Sequence, residues 1–153
     1  MPSQLPHIPL IYRVLLLWFE PLAAFNGAIL CHFDAPSFLN TMSATAVYTP
    51  SSQVIFDQLA ATYTLFAFNE AVVLRISKDL KVWKAMILGI LLCDTLHLYA
   101  SWVVMGTELF VRPWLWRAED AIAVGMLWVP IVIRIAFLLE VGIRRENDGK
   151  KTA

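Results

Sequence analysis

Four long stretches dominated by apolar side chains, at roughly 8–32, 54–74, 85–106 and 118–142, organise the chain. At about 1.5 Å of rise per residue, each crosses the ~30 Å hydrocarbon slab as a helix. The pattern predicts an all-α, polytopic membrane four-helix bundle, with residues 1–153 forming one four-transmembrane-helix domain. Arg13 ahead of Val14-Leu15-Leu16-Leu17-Trp18-Phe19 imitates a signal peptide. Glu20-Pro21 interrupts that run and no small-residue cleavage site follows, so the first stretch reads as a retained span.

The connections predict an orientation. Phe33 to Gln53 holds no lysine or arginine and is rich in Ser, Thr and Pro, which suits a luminal or extracellular loop. Arg13, Arg75, Lys78, Lys81, Lys84, Arg144, Arg145, Lys150 and Lys151 gather at the N-terminal end, the second connection and the C-terminal tail, against Arg112 and Arg117 in the third. Cytoplasmic loops hold the excess of positive charge, so both termini are expected in the cytoplasm. Trp102, Trp114 and Trp116 are expected at the luminal interface and Trp83 at the cytoplasmic one, as an aromatic belt. Lys150-Lys151-Thr152-Ala153 loosely resembles a dilysine retrieval signal, and the expected location is the endoplasmic reticulum or another endomembrane.

Composition supports the bilayer as solvent. Hydrophobic residues make up 59% and charged ones 16%, more apolar surface than a small soluble core can hide. Twelve basic against twelve acidic residues give a net charge of zero, which removes the basic field that nucleic-acid binding needs. Cys31 and Cys93 lack any zinc, redox or disulfide spacing and read as small buried hydrophobes. Phosphate-loop, zinc-protease, haem, nucleophile-elbow and aspartate-rich diphosphate motifs are all missing, so neither a metal nor a cofactor is expected.

The remaining signal is charge inside the spans. An ionisable group near the bilayer centre costs at least about 2.5 kcal/mol, so such groups face the bundle interior and mark function by default. Glu20, Glu70, Asp94 and Arg134 qualify, and His97 joins them. Counting along each span places Glu20, Asp94 and His97 about 14–18 Å deep, near the midplane. Glu70 and Arg134 fall in a second layer toward the cytoplasmic side, where they are expected to pair beside the amide of Asn69. That pair reads as a helix clamp, or as a site for a polar head group. Asp94, His97 and Ser101 share one helix face at three- and four-residue spacing, either as interhelical glue or as part of a reactive site.

In the reactive reading Glu20 and Asp94 are proton donor and base, and His97 tunes Asp94. Trp18, Tyr63, Phe66 and Trp102 are then expected to line a water-poor cavity able to stabilise a cation, with Glu70, Asn69 and Arg134 completing the substrate contacts. Pro21 frees the carbonyl of Leu17 and Pro130 that of Met126, loosening the first and fourth spans. Val111-Arg112-Pro113-Trp114-Leu115-Trp116-Arg117 with Glu119-Asp120 reads as an interfacial turn with solvated charges.

Trp18-Phe19-Glu20-Pro21, Phe68-Asn69-Glu70-Ala71 with Leu74-Arg75, Val82-Trp83-Lys84, Cys93-Asp94-Thr95-Leu96-His97-Leu98-Tyr99, and Met126-Leu127 through Ile133-Arg134-Ile135-Ala136-Phe137 resemble an uncharacterised fungal family of small four-span membrane proteins. In size and topology the chain is also similar to the sterol isomerase and sigma-receptor group, and more weakly to fungal membrane-bound terpene cyclases. Those resemblances imply intramembrane acids acting on carbocation-like or amine ligands, by analogy of architecture.

Two functions are expected from this. One is a cofactor-independent acid/base isomerase or cyclase for a hydrophobic terpenoid or sterol-like substrate in secondary metabolism. The other is a non-catalytic lipid- or metabolite-binding or scaffold protein whose charges lock the helices. Membrane lipid is the expected partner in both, a hydrophobic small molecule in the first, and either accommodates a homo-oligomer. The chain is short for a transporter and shows no inverted repeat.

Overall fold

A computed structural model describes residues 6–144 and is helical throughout, with no strand longer than an isolated bridge among those residues. Four helices are long and apolar enough to cross a membrane: α1 (Leu10–Phe33), α3 (Pro50–Ile76), α4 (Leu80–Phe110) and α5 (Ala118–Leu138), with a short helix α2 (Ala35–Met42) between the first two. The all-α bundle is as the hydrophobic pattern predicts. Arg145, Lys150, Lys151 and the dilysine-like tail lie outside the described residues.

The helix ends follow local chemistry. Asp79 starts α4 by accepting the amide of Lys81 at 2.8 Å, five residues before the predicted boundary. Gly106, at φ 74°, breaks that helix where the apolar run was expected to end. The last span stops at Leu138 rather than 142. Glu140 turns there at φ 58° and Gly142 at φ 75°, and the Glu140 carboxylate accepts from Lys84 at 2.6 Å.

The helices associate as two antiparallel pairs, α1 with α3 and α4 with α5, while α2 lies against α1 and α5. The Tyr63 ring packs over Gly27, where a Cβ would stand 3.5 Å from it, at ordinary van der Waals contact. Near the chain termini the pairs meet in an apolar cluster of Tyr12, Leu16, Leu17, Leu74, Trp83, Ile87 and Phe137. The Trp83 and Phe137 rings stack 5.8 Å apart and the Tyr12 ring meets Phe137 edge-on. Trp83 is 2% exposed and donates to the Ser77 carbonyl, so it is a core residue and not part of an interfacial belt. Its ring nitrogen finds an acceptor in the turn before α4, which lets it be buried. Trp114, by contrast, is largely exposed.

Tyr12 also donates to the Val141 carbonyl at 3.0 Å, and His7 and Arg144 exchange backbone hydrogen bonds, which seals α1 to the segment after α5. A second cluster of Ala28, Cys31, Ala35, Phe38, Phe56 and Ala60 packs the opposite end. The segment predicted as a plain loop therefore holds a helix. Asp34 caps α2 by accepting the Ser37 amide, Pro36 occupies its first turn, and Phe38 is driven inward.

Phe137 is fully buried between two rings, so Phe137→Ala is expected to lower unfolding free energy in detergent micelles by about 3–5 kcal/mol. Leu96→Ala, at a 70% exposed position, is the control and is expected to change it by under about 0.5 kcal/mol.

Candidate functional site

Each spanning helix sends one ionisable side chain to a common point between the two apolar clusters. Arg134 on α5 donates from Nη2 to Glu20 Oε2 on α1 at 2.6 Å and to Glu70 Oε1 on α3 at 3.3 Å, and from Nη1 to Asp94 Oδ2 on α4. Glu20, Glu70 and Arg134 are all buried. The expected Glu70–Arg134 pair is present, but the expected division into two layers is not. Side chains lean toward the N-terminus of their own helix. α5 and α3 run toward the termini, so Arg134 and Glu70 lean back to mid-bundle, while Glu20 on the oppositely directed α1 leans to meet them.

The backbone is adapted at the same level. Leu15–Phe19 and Asn69–Val73 are single π-type turns, immediately before Glu20 and around Glu70, and they pack against each other. Such turns widen a helix and leave carbonyls to be satisfied from outside it. Pro21 has no amide to offer the Leu17 carbonyl, and that carbonyl accepts from the guanidinium of Arg75 instead.

Toward the far end the charges open onto a cavity of about 350 Å³ between the two helix pairs. Glu20, Glu70, Asp94 and Arg134 line one end of it, His97 and Ser101 extend that polar edge along α4, and Phe38, Thr41 and Met42 of α2 cover the opposite end. Most of the remaining wall is apolar, with Tyr63 and Phe66 among the rings expected there. Asp94 faces Arg134 instead of His97, whose Nδ1 stands 3.6 Å from Cys93 Sγ. Ser101 turns its hydroxyl back to the His97 carbonyl at 3.0 Å. His97 therefore reaches the cavity without touching the acid it was expected to tune.

Three residues expected as substrate contacts are elsewhere. Trp18 is 59% exposed and lies under the Arg75 guanidinium at 4.0 Å. It precedes the inward-facing Glu20 by two residues, about 200° around a helix, which points it outward. Trp102 is exposed and donates to Thr107, since it follows the lining residue Ser101 by about 100°. Asn69 begins the π-type turn and makes no hydrogen bond to the cluster.

At the end of the bundle near α2, Asp120 is 7% exposed and held by its own helix cap, receiving the Arg117 amide at 3.1 Å and its guanidinium at 2.7 Å. Arg117 also donates to the carbonyl and side chain of Asn40, tying α5 to α2. The expectation that these charges are solvated fails for Asp120, because a capping carboxylate is folded back onto the start of its helix. Among the described residues no group of three or more His, Cys, Asp and Glu side chains is placed to hold a metal ion.

Removing the lone guanidinium strands three carboxyl groups, so Arg134→Met is expected to lower unfolding free energy by about 3–5 kcal/mol. Adding Glu20→Gln and Asp94→Asn to that variant is expected to restore most of the loss in thermal melts. A triple variant as unstable as the single one would count against a charge origin for the effect.

No curated protein and no solved structure matches the chain. The comparison with protein families does give a match, over residues 3–144, a range that contains all four spans, the charge cluster and the cavity, and the chain belongs to the family described as Domain of unknown function (DUF7704).

Proposed function

We propose that this membrane protein is a cofactor-independent acid/base isomerase or cyclase acting on a hydrophobic terpenoid or sterol-like substrate in secondary metabolism. The observation that carries the reading is the placement of Glu20, Asp94 and His97 together on the wall of one largely apolar intramembrane cavity. Its volume sits near the lower end of ordinary ligand pockets, which favours the smaller terpenoids over full sterols. Proton transfer in such a site needs no metal or redox partner. A carboxylic acid protonates one carbon of an olefin, and the electron pair of the double bond forms the new C–H bond. The cation then loses a proton from a neighbouring carbon to a carboxylate, the C–H pair forming the shifted alkene; in a cyclisation the electron pair of a second double bond in the same molecule first forms the ring C–C bond, and the cation so displaced loses the proton. Protons balance over the cycle.

In this scheme Glu20 and Asp94 exchange the proton, and Arg134 orients both carboxyl groups. Tyr63, Phe66 and Phe38 shield the cation from water and face it with their rings. Glu70 is a positioning residue that holds Arg134. The same lipid-embedded site sits, in this reading, in the endoplasmic reticulum or another endomembrane with both termini cytoplasmic, a placement supported by the gathering of Arg13, Arg75, Lys78, Lys81 and Lys84 near one end.

A second reading has its own support. Arg134 engages one acid from each of the other three spanning helices, which is the arrangement a purely structural lock requires. Asp94→Asn and Glu70→Gln, compared in purified membranes for melting temperature and in expressing cells for metabolite profile, separate the two. The enzyme reading expects Asp94→Asn to lose a product while melting within a few degrees of the parent. Destabilisation by both changes, with no product that depends on the chain, would leave the structural lock as the function.

A further inference from the structure

Arg75 belongs to a membrane span, yet it is exposed on the outside of the bundle. Its Nη2 donates to the Leu17 carbonyl, and its Cζ stands 4.0 Å from the centre of the Trp18 ring. These two contacts fix the guanidinium in one orientation and occupy one of its five N–H donors. The other donors are unanswered: among the described residues Arg75 makes no ion pair and no second hydrogen bond. Leu17 follows the first residue of the span, Leu10, by seven positions, so the guanidinium is held about 10 Å along α1. A cation fixed at that depth on a lipid-facing surface is costly unless an anion meets it.

The surroundings decide which anion. Arg13, Lys78 and Lys81 are exposed at the same end of the bundle and form no ion pair among the described residues. The acids there are already engaged, since Asp79 accepts the Lys81 amide and Glu140 accepts from Lys84. Further into the membrane the surface is apolar. Phe68 and Val72 precede Arg75 on one face of α3, and Trp18, Leu22 and Phe25 follow one another along α1 at helical spacing, all of them exposed. A planar donor group at the head of an apolar stripe matches a phosphate carrying acyl chains. From this we infer that the outer face of α1 and α3 binds an anionic phospholipid, its phosphate accepting from the remaining N–H groups of Arg75 and its acyl chains lying over Trp18 and Val72. A choline head group brings its own cation into the same basic surround, which sets the preference for a lipid with net negative charge. Neither Arg75 nor Trp18 lines the cavity, so this site stands apart from the acid/base reading.

Tryptophan quenching by brominated acyl chains tests it on the full chain, reconstituted in phosphatidylcholine vesicles with a minor share of phosphatidylglycerol and the bromine placed on one lipid or the other. The signal of Trp18 is the part lost in Trp18→Phe, and that of Trp102, exposed toward the opposite end, the part lost in Trp102→Phe. Trp18 is expected to select brominated phosphatidylglycerol by about five-fold or more, and Trp102 to show no selection. Arg75→Gln, whose amide can still donate to the Leu17 carbonyl, is expected to erase the selection at Trp18. Arg75→Lys, which keeps the charge without the planar fork, is expected to fall between, and Lys78→Gln to lower the selection less than Arg75→Gln does. Inorganic phosphate in excess over the lipid is expected to change nothing. Equal quenching of Trp18 by the two lipids in the parent chain would overturn the inference without recourse to any variant, and that comparison decides alone if Arg75→Gln does not fold. Selection undiminished in a folded Arg75→Gln chain would overturn it too, by assigning the effect to diffuse attraction at the basic end. Loss of selection to inorganic phosphate would make this a site for a free anion instead.

Discussion

One guanidinium holds this bundle in register. Lipid tails are as apolar as leucine, so membrane helices gain little from hiding hydrophobic faces against each other, and their mutual positions are set by packing and polar contacts. Here the four spans pair off as α1 with α3 and α4 with α5, and Arg134 is the point at which an acid from each of the other three spans meets a base from the fourth. The apolar cluster near the termini and the cluster under α2 then fill the space on either side. The cavity lies directly beyond that level, between the two helix pairs, with the four charged residues at one end of it.

The backbone accommodates what the side chains demand. Both helices that deliver a glutamate relax into a π-type turn at that height, and the two relaxed turns touch. A carbonyl left without an amide is costly in lipid, and the one that Pro21 leaves at Leu17 is answered by Arg75. The guanidinium that serves it also stacks on Trp18, so the repair is made at the outer surface and leaves the interior to the acids.

Much of this was legible from residue order. Hydrophobic run length sets the spans, the cost of burying charge singles out Glu20, Glu70, Asp94 and Arg134, and the missing amide of Pro21 predicts a needy carbonyl at Leu17. Depth counting failed where it treated each side chain as lying level with its Cα. Arginine and glutamate reach most of a helical turn, and in antiparallel neighbours they lean in opposite directions, which merges layers that counting keeps apart. Trp18 and Trp102 lie off the cavity because each is only one or two residues from an inward-facing position, Glu20 and Ser101, and such neighbours fall on another face of the helix. α2 was overlooked although Asp34-Ala35-Pro36 carries a helix-start signature, since its eight residues are too short to show through hydrophobic periodicity.

The seam between the first and last spans bears on how the protein is made. Tyr12 reaches Val141, His7 pairs with Arg144, and Phe137 completes the ring stack that Tyr12 and Trp83 begin. A ribosome delivers α1 first and α5 last, so the N-terminal helix must wait in the bilayer through the synthesis of everything between them. Insertion and assembly are for that reason separate events, and the bundle closes only when the final helix leaves the translocation machinery and slides in beside the first.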